Sequence, residues 1–171
     1  WNTYAFFVLY ANICEFDASK HTLEKAALGA MDRWVLSKMN SMVKAVDENL
    51  SAYAVPEAAR ALQDFVDDLS NWYVRRSRAR FATENLTQDN VNAYMTLYTA
   101  LVTTAKAAAP FVPFMAESIY QNLVRSVDKA APESVHLCDF PVADESMTDP
   151  ALEQQMDLVL RVVVLARSAR N

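Results

Sequence analysis

Apolar residues recur at three- and four-residue steps in five segments of this chain, and this period limits the possible folds more than any other feature. The clearest run, within residues 31–53, consists of Met31, Trp34, Val35, Met39, Met42, Val43, Val46, Leu50 and Tyr53. Similar runs predict helices over 56–81, 89–109, 113–127 and 150–166, and an apolar first segment over 1–13 predicts a sixth helix. The single glycine, Gly29, leaves little material for tight hairpin turns. We predict an all-α helical bundle, with residues 1–171 forming a single domain.

Prolines and capping residues indicate where several of these helices begin and end. Pro110 should end one helix, because the residue before a proline avoids the α region, and Pro113 suits the first turn of the next. Asp89 is the predicted N-cap of the helix that leads to this corner, after a polar connection over 83–88. Asp149 is the predicted N-cap of the last helix, whose late arginines match the helix dipole. Residues 14–30 and 128–148 are predicted loops, with a short extended piece over 135–141.

Composition excludes several classes of protein. The chain is 53 % hydrophobic, which is too apolar for a disordered protein. Its two cysteines, Cys14 and Cys138, form neither a disulfide framework nor a zinc-binding pattern, which is typical of a cytoplasmic protein without a metal site. No apolar run reaches the length of about 18 residues that spans a membrane. The net charge of −5 argues against general nucleic-acid binding, so any RNA-binding surface must be a local basic patch.

The strongest local concentration of positive charge lies in residues 75–80, which contain four arginines. On a regular helix with about 100° per residue, Arg76 and Arg80 fall on the apolar side. We expect them to need buried partners or another domain, so Arg76→Ala should destabilise the fold more than Arg75→Ala. Arg75 and Arg78 fall on the opposite side, beside aspartates one or two turns earlier. They form either a solvated face that these aspartates partly neutralise, or an edge that binds phosphates.

Five stretches resemble the anticodon-binding domain of class I aminoacyl-tRNA synthetases, above all the isoleucyl-tRNA synthetase family. Residues 1–13 resemble its first helix, and D-R-W-V-L-S at 32–37 matches one of its signatures. D-L-S-N-W-Y-V-R-R-S-R at 68–78 matches a second, which is more specific to the isoleucyl enzymes. The corner at 109–120, A-P-F-V-P-F-M-A-E-S-I-Y, is shared with the valyl and leucyl enzymes, and S-V-H-L within 134–141 resembles the segment that follows.

The resemblance implies a binding partner, an activity for the longer protein, and separate roles for its domains. The partner is the tRNA for isoleucine, and the parent is a monomeric cytoplasmic ligase that attaches isoleucine with ATP and magnesium. The catalytic and editing domains would be other parts of a longer chain, and this part would hold no cofactor and catalyse nothing. With only His21 and His136 present, the H-x-G-H signature cannot be formed. Residues 38–41, K-M-N-S, lack the second lysine of K-M-S-K-S and lie within a predicted helix.

The candidate site residues follow from the signatures and the arginine run. The candidates for RNA binding are Asn2, Asn71, Arg75, Arg78 and Trp72. Trp72 is either a platform on which a base stacks or a core residue, and Arg76 and Arg80 are candidates for structural or interdomain contacts. Two alternatives to RNA binding by an isoleucyl domain stay open: a structural module that only docks on other synthetase domains, or the equivalent valyl or leucyl domain. An independent enzyme has little support, because no paired carboxylates, His–Cys pair or metal cluster stands out.

Overall fold

The computed structural model describes residues 1–83 and 86–170. In those ranges it contains the helices α1 (Asn2–Ile13), α2 (Ala30–Ser51), α3 (Val55–Asp67), α4 (Arg75–Phe81), α5 (Gln88–Ala108), α6 (Pro113–Tyr120) and α7 (Pro150–Ala169). A π-helical stretch, Asp68–Val74, joins α3 to α4 without a break, and a second one, Gln121–Arg125, extends α6. The described residues contain no strand, so the prediction of an all-α bundle is confirmed. No helix among them is both long and apolar enough to cross a membrane.

Helices α2 and α5 form the centre of the bundle. Helix α2 contacts α3, α5 and α7, while α5 also contacts α1, α4 and α6. The largest fully buried side chains of this core include Trp34, Phe65, Tyr73, Phe81 and Tyr94. Full burial of one large apolar side chain stabilises a fold by about 1.5–3 kcal/mol. Helix α7 differs from the others, because none of its side chains is fully buried and only a half-buried stripe packs on the core.

The predicted helix boundaries are partly correct. Helix α6 begins at Pro113, and the Asp149 side chain caps α7 by accepting a hydrogen bond from the Leu152 N–H at 3.0 Å. The prediction that Asp89 caps α5 is wrong. Thr87 is the cap, and its own N–H donates to Asn90 Oδ1 at 2.9 Å. The predicted extended piece over 135–141 is also wrong at its start, where Val135–Leu137 forms a 3-10 turn. The polar connection predicted over 83–88 includes residues 84 and 85, which lie outside the described residues.

Two helices end in a left-handed residue that is not glycine. After α2, Tyr53 has a φ of 57°, and after α1, Glu15 has a φ of 50°. Beyond α2, the Tyr53 N–H donates to the carbonyl of Leu50 at 3.0 Å and the Ala54 N–H to that of Asn49 at 2.8 Å, which is the Schellman pattern. A non-glycine residue in this conformation costs about 1–2 kcal/mol. Scarcity of glycine therefore did not prevent sharp helix ends, but it made two of them strained.

The π-helical stretch shifts the register of everything that follows it in α4. Along α3 and into the stretch, buried residues recur at ordinary α-helical steps: Ala58, Leu62, Phe65 and Leu69. A regular helix would next bury residues 72, 76 and 80. The residues actually buried are Tyr73, Val74, Ser77 and Phe81, and three of them, Tyr73, Ser77 and Phe81, each lie one position later than this pattern. A π turn closes over one residue more than an α turn, so the core-facing side moves by one residue.

Candidate nucleic-acid interface

A buried carboxylate, Asp32, connects the two sequence signatures. Its side chain is 0 % exposed and accepts hydrogen bonds from Tyr73 Oη at 2.7 Å and from Arg80 Nη1 and Nη2 at 2.7 and 2.9 Å. The N–H of Gly29, the residue before α2, adds a fourth bond to Asp32 Oδ2 at 3.2 Å. A buried charge without such partners would be very costly. These contacts hold the start of α2 against the continuous helix formed by α3, the π-helical stretch and α4. We call Asp32, Tyr73 and Arg80 the Asp32 cluster.

Arg80 completes the cluster with a second carboxylate. Its Nε donates to Asp89 Oδ2 at 2.8 Å and its Nη2 to Asp89 Oδ1 at 2.7 Å, so Asp89 binds Arg80 and does not cap α5. Burial alone would lower the pKa of Arg80, but hydrogen bonds to Asp32 and Asp89 raise it, so the guanidinium stays charged. Burial, followed by the Asp32 charge, raises the pKa of Tyr73 well above its usual value, so its hydroxyl stays a donor. Arg80 has its partners within this chain, and few of its donors remain for a phosphate.

The structure corrects the predicted position of Arg76. The regular helical wheel placed Arg76 on the buried side, but its side chain is exposed and Ser77 is buried instead. The cause is the one-residue shift that the π-helical stretch introduces before α4. Arg76 is therefore exposed, as Arg75 and Arg78 are, and the three side chains occupy more than one side of α4. We call Arg75, Arg76 and Arg78 the arginine surface.

Within the described residues, no ion pair neutralises the arginine surface. An aspartate expected to do so, Asp68, instead binds Lys38, with an Oδ2–Nζ distance of 3.1 Å. The guanidinium carbon of Arg78 lies 5.9 Å from the ring centroid of Phe6 in α1. A cation–π contact does not use up the N–H donors of the guanidinium. The arginine surface therefore has donors that no carboxylate occupies in the described part of the chain.

The remaining candidates differ in their relation to this surface. Asn71 is exposed just before it, and its side-chain amide donates to the carboxylate of Asp67. Trp72 is half-buried against the core, and the guanidinium carbon of Arg167 lies 5.8 Å from its ring centroid. Asn2 is exposed in the first turn of α1, and in the described part of the chain no side-chain hydrogen bond joins it to the arginine surface. Asn71 and Trp72 lie close to the arginine surface because they precede it in the same continuous helix. Asn2 lies in a different helix, α1.

Sequence reasoning did not connect Arg167 with Trp72. Its position late in α7 was explained by the helix dipole, which requires no particular neighbour. Only packing brings the last turn of α7 to Trp72, far away in the sequence. The apolar period of α7 predicts the helix itself, but it does not predict which helix α7 packs against.

Ser37 of the first signature and the nearby Ser41 attach α7 to α2. The hydroxyls of Ser37 and Ser41 both donate to the carboxylate of Glu153, with a distance of 2.9 Å from Ser41. The N–H of Asp149 donates to Ser37 Oγ at 2.7 Å. Ser37 is therefore both donor and acceptor at this joint. The contacts fix the N-terminal half of α7, and the direction of the helix then determines where its C-terminal arginines lie.

The segment that resembles K-M-S-K-S does not form a nucleotide site. Met39 is buried, and the Asn40 side chain donates to a backbone carbonyl at 2.9 Å. Lys38 binds Asp68 at 3.1 Å and Asp157 at 3.7 Å, so its ammonium lies among carboxylates and not beside an open anion site. These residues do not fit ATP. In the described ranges, no cluster of three or more His, Cys, Asp or Glu side chains could hold a metal ion.

The signature residues at the proline corner hold a loop in place. Glu117 Oε2 accepts hydrogen bonds from Ser134 Oγ and from the Val135 N–H, each at 2.9 Å. Tyr120 Oη donates to the carbonyl of Pro132 at 3.0 Å. Burial alone would raise the pKa of Glu117, but these hydrogen bonds lower it below its usual value. The glutamate and tyrosine of the signature thus attach the loop after α6 to its helix.

Comparison with known proteins agrees with this geometry and with the signatures. The family model described as the anticodon-binding domain of tRNA ligase matches residues 32–171. The chain is 55 % identical over 171 residues to the isoleucine–tRNA ligase of Clostridium novyi, and 52 % identical over 171 residues to that of Thermus thermophilus. These matches cover 100 % and 99 % of this chain but only 16 % of each relative. The resemblance read from the signatures is confirmed, and this chain belongs to the family of anticodon-binding domains of tRNA ligases.

Proposed function

We propose that this chain binds the anticodon stem-loop of the tRNA for isoleucine, as the anticodon-binding domain of an isoleucine–tRNA ligase. The observation that carries the proposal is the arginine surface, which lies in the D-L-S-N-W-Y-V-R-R-S-R signature and has no ion-pair partner among the described residues. RNA-binding proteins hold phosphates with basic side chains and read unpaired loop bases by edge hydrogen bonds and stacking. Arg75, Arg76 and Arg78 suit the first task. The exposed amide of Asn71 suits the second.

The remaining proposals concern the whole enzyme, and they depend on the relatives and the resemblance. We propose that residues 1–171 act as one domain of a monomeric cytoplasmic ligase, which uses ATP and magnesium to attach isoleucine to its tRNA. The part described here would contact tRNA and the other domains of that ligase without catalysing a step. Isoleucine-dependent ATP–pyrophosphate exchange by the pure chain should therefore stay at background, and exchange above background would contradict this division.

Filter binding of an isoleucine anticodon stem-loop at several salt concentrations tests the RNA-binding proposal. The expected dissociation constant is micromolar or weaker, roughly −8 kcal/mol at best, because contacts to the rest of the tRNA are missing. Loss of two phosphate contacts in an Arg75→Ala, Arg78→Ala double variant should weaken binding. It should also lower the slope of log K against log salt by about 1.4–1.8.

A matched control changes the net charge equally on other surfaces. In a Lys44→Ala, Arg60→Ala double variant, the two lost cations bind Glu145 and Glu57 in the structure. This variant should keep the salt slope of the unaltered chain. If both double variants flatten the slope equally, the attraction comes from net charge alone, and the arginine surface is not the binding site.

A second candidate function is a structural module that only docks on other synthetase domains. The observation that favours it is a set of exposed apolar side chains on α7, namely Leu158, Val162 and Leu165, together with Phe114 at the proline corner. A purely structural module would show no affinity for the stem-loop at any salt concentration. The same filter-binding series therefore distinguishes the two candidates.

A further inference from the structure

The contact between Arg167 and Trp72 joins two elements that are far apart in the sequence. Trp72 lies in the π-helical stretch before α4, and Arg167 lies in the last turn of α7. The guanidinium carbon is 5.8 Å from the indole centroid, within the range of a cation–π interaction. Trp72 is half-buried while Arg167 is exposed, so the ring is held by the core and the guanidinium lies on its outer side.

In the described part of the chain, no hydrogen bond or ion pair occupies the N–H donors of Arg167. A guanidinium that stacks on an indole uses its flat face, whereas its five N–H donors point outward in its plane. In the part of the chain that the structure describes, Arg167 has no carboxylate partner. Arg80 is the contrasting case, because two carboxylates occupy its edge. Stacking also restricts the long side chain in advance, which reduces the entropy lost when it binds a phosphate.

The position of the contact extends the arginine surface from one helix to two. Arg75 and Arg76 begin α4, and they follow Trp72 by three and four residues, which places them within about one helical turn of it. On the other side of Trp72, Asp67 and Asp68 line a groove with Lys38, and acidic side chains repel phosphates. Trp72 therefore lies at the border between an acidic groove and a basic patch, and Arg167 approaches it from α7.

We propose that Arg167 is an RNA-binding residue of this domain, which contacts a phosphate of the anticodon stem-loop while Trp72 positions its guanidinium. This inference rests on the proposed function, because it assigns a further contact to the same RNA. It also gives Trp72 a different task from base stacking: the indole face presented toward α7 holds a guanidinium.

Binding of the stem-loop at several salt concentrations tests this proposal in the 171-residue chain. Arg167→Ala should weaken binding about tenfold and lower the salt slope by about 0.7–0.9. Arg167→Lys should retain the slope but weaken binding severalfold, because an ammonium offers neither the planar stack nor a bidentate edge. Arg161→Ala is the matched control on the same exposed helix and should change the dissociation constant by less than about twofold.

Variants of Trp72 test the positioning role. Trp72→Phe retains an aromatic face and should bind nearly as well as the unaltered chain. Trp72→Leu should lose salt slope although Arg167 is still present, provided that helicity by circular dichroism is unchanged. If the unaltered chain binds and Arg167→Ala matches Arg161→Ala, this inference is overturned and the proposed function stands. If the unaltered chain does not bind the stem-loop, both are overturned.

Discussion

Arg80 and the arginine surface belong to one short helix, yet the structure gives them opposite environments. Arg80 is 19 % exposed and binds both the buried Asp32 and the exposed Asp89. Arg75, Arg76 and Arg78 are exposed, and no carboxylate binds them in the part of the chain that the structure describes. The same residue type is therefore a structural bridge at one position of α4 and an unpaired donor at three other positions.

The difference shows that the surroundings of a charge, and not its place in a motif, determine its task. Arg80 lies beside a carboxylate that is 0 % exposed, so removing Arg80 would leave a buried charge with only the hydrogen bonds from Tyr73 and Gly29. The arginine surface lies in water, where a missing partner costs little. Stability should therefore depend on the Asp32 cluster, while RNA affinity should depend on the arginine surface.

Arg80→Ala is the strongest test of this contrast. We expect the free energy of unfolding to fall by about 3–5 kcal/mol, since Asp32 is left buried without its guanidinium. Urea denaturation with Arg78→Ala as the control measures the difference. A loss below about 1 kcal/mol for Arg80→Ala would mean that water reaches Asp32 and that the cluster is not the structural element described above.

Tyr73→Phe is a second test of the Asp32 cluster, because it removes one hydrogen-bond donor and no charge. We expect a loss of about 1–3 kcal/mol, because the ring still fills its place in the core while the Asp32 carboxylate loses a bond of 2.7 Å. Equilibrium denaturation gives the value. A cost as large as that of Arg80→Ala would show that the number of donors, and not the guanidinium charge, controls the cluster.

Glu117→Gln tests whether a carboxylate that is less buried than Asp32, with a similar number of hydrogen-bond partners, contributes as much to stability. We expect a loss of about 1 kcal/mol near neutral pH, since hydrogen bonds to a charged group are replaced by weaker ones. The folded-state pKa of Glu117 is lowered from 4.5, so its charge stabilises the fold above that pH, and this contribution is lost as the pH falls below it. Denaturation midpoints of the two proteins should converge on acidification, and a constant gap would contradict this explanation.

Arg76→Ala and Arg75→Ala should have the smallest effects on stability, a few tenths of a kcal/mol each, because both side chains are exposed. The regular wheel predicts that Arg76→Ala is clearly the worse of the two. Denaturation curves of the two variants, measured side by side, decide between the regular wheel and the shifted register. A larger loss for Arg76→Ala would mean that the register shift in α4 is absent in solution.

The sequence by itself determined the helical class, the extent of most helices and the family. The apolar period identifies α2 and α5 because an amphipathic helix must bury one face whatever its partners are. Pro113 and Asp149 mark helix starts because their effects are local: a missing N–H in one case and a cap for free N–H groups in the other. The signatures at 32–37 and 68–78 identify the family, although they do not say which of their residues are structural.

Tertiary structure decided which signature residues face the core and which face solvent. The π-helical stretch turns Arg76 outward and Ser77 inward, and a wheel that assumes one angle per residue cannot contain such a shift. Asp89 binds the Arg80 guanidinium, and Thr87 occupies the cap position that the sequence pattern assigned to Asp89. The approach of Arg167 to Trp72 depends on how α7 attaches to α2 through Ser37 and Glu153. Contacts between residues so far apart in the sequence form only when the helices pack, so no local pattern records them.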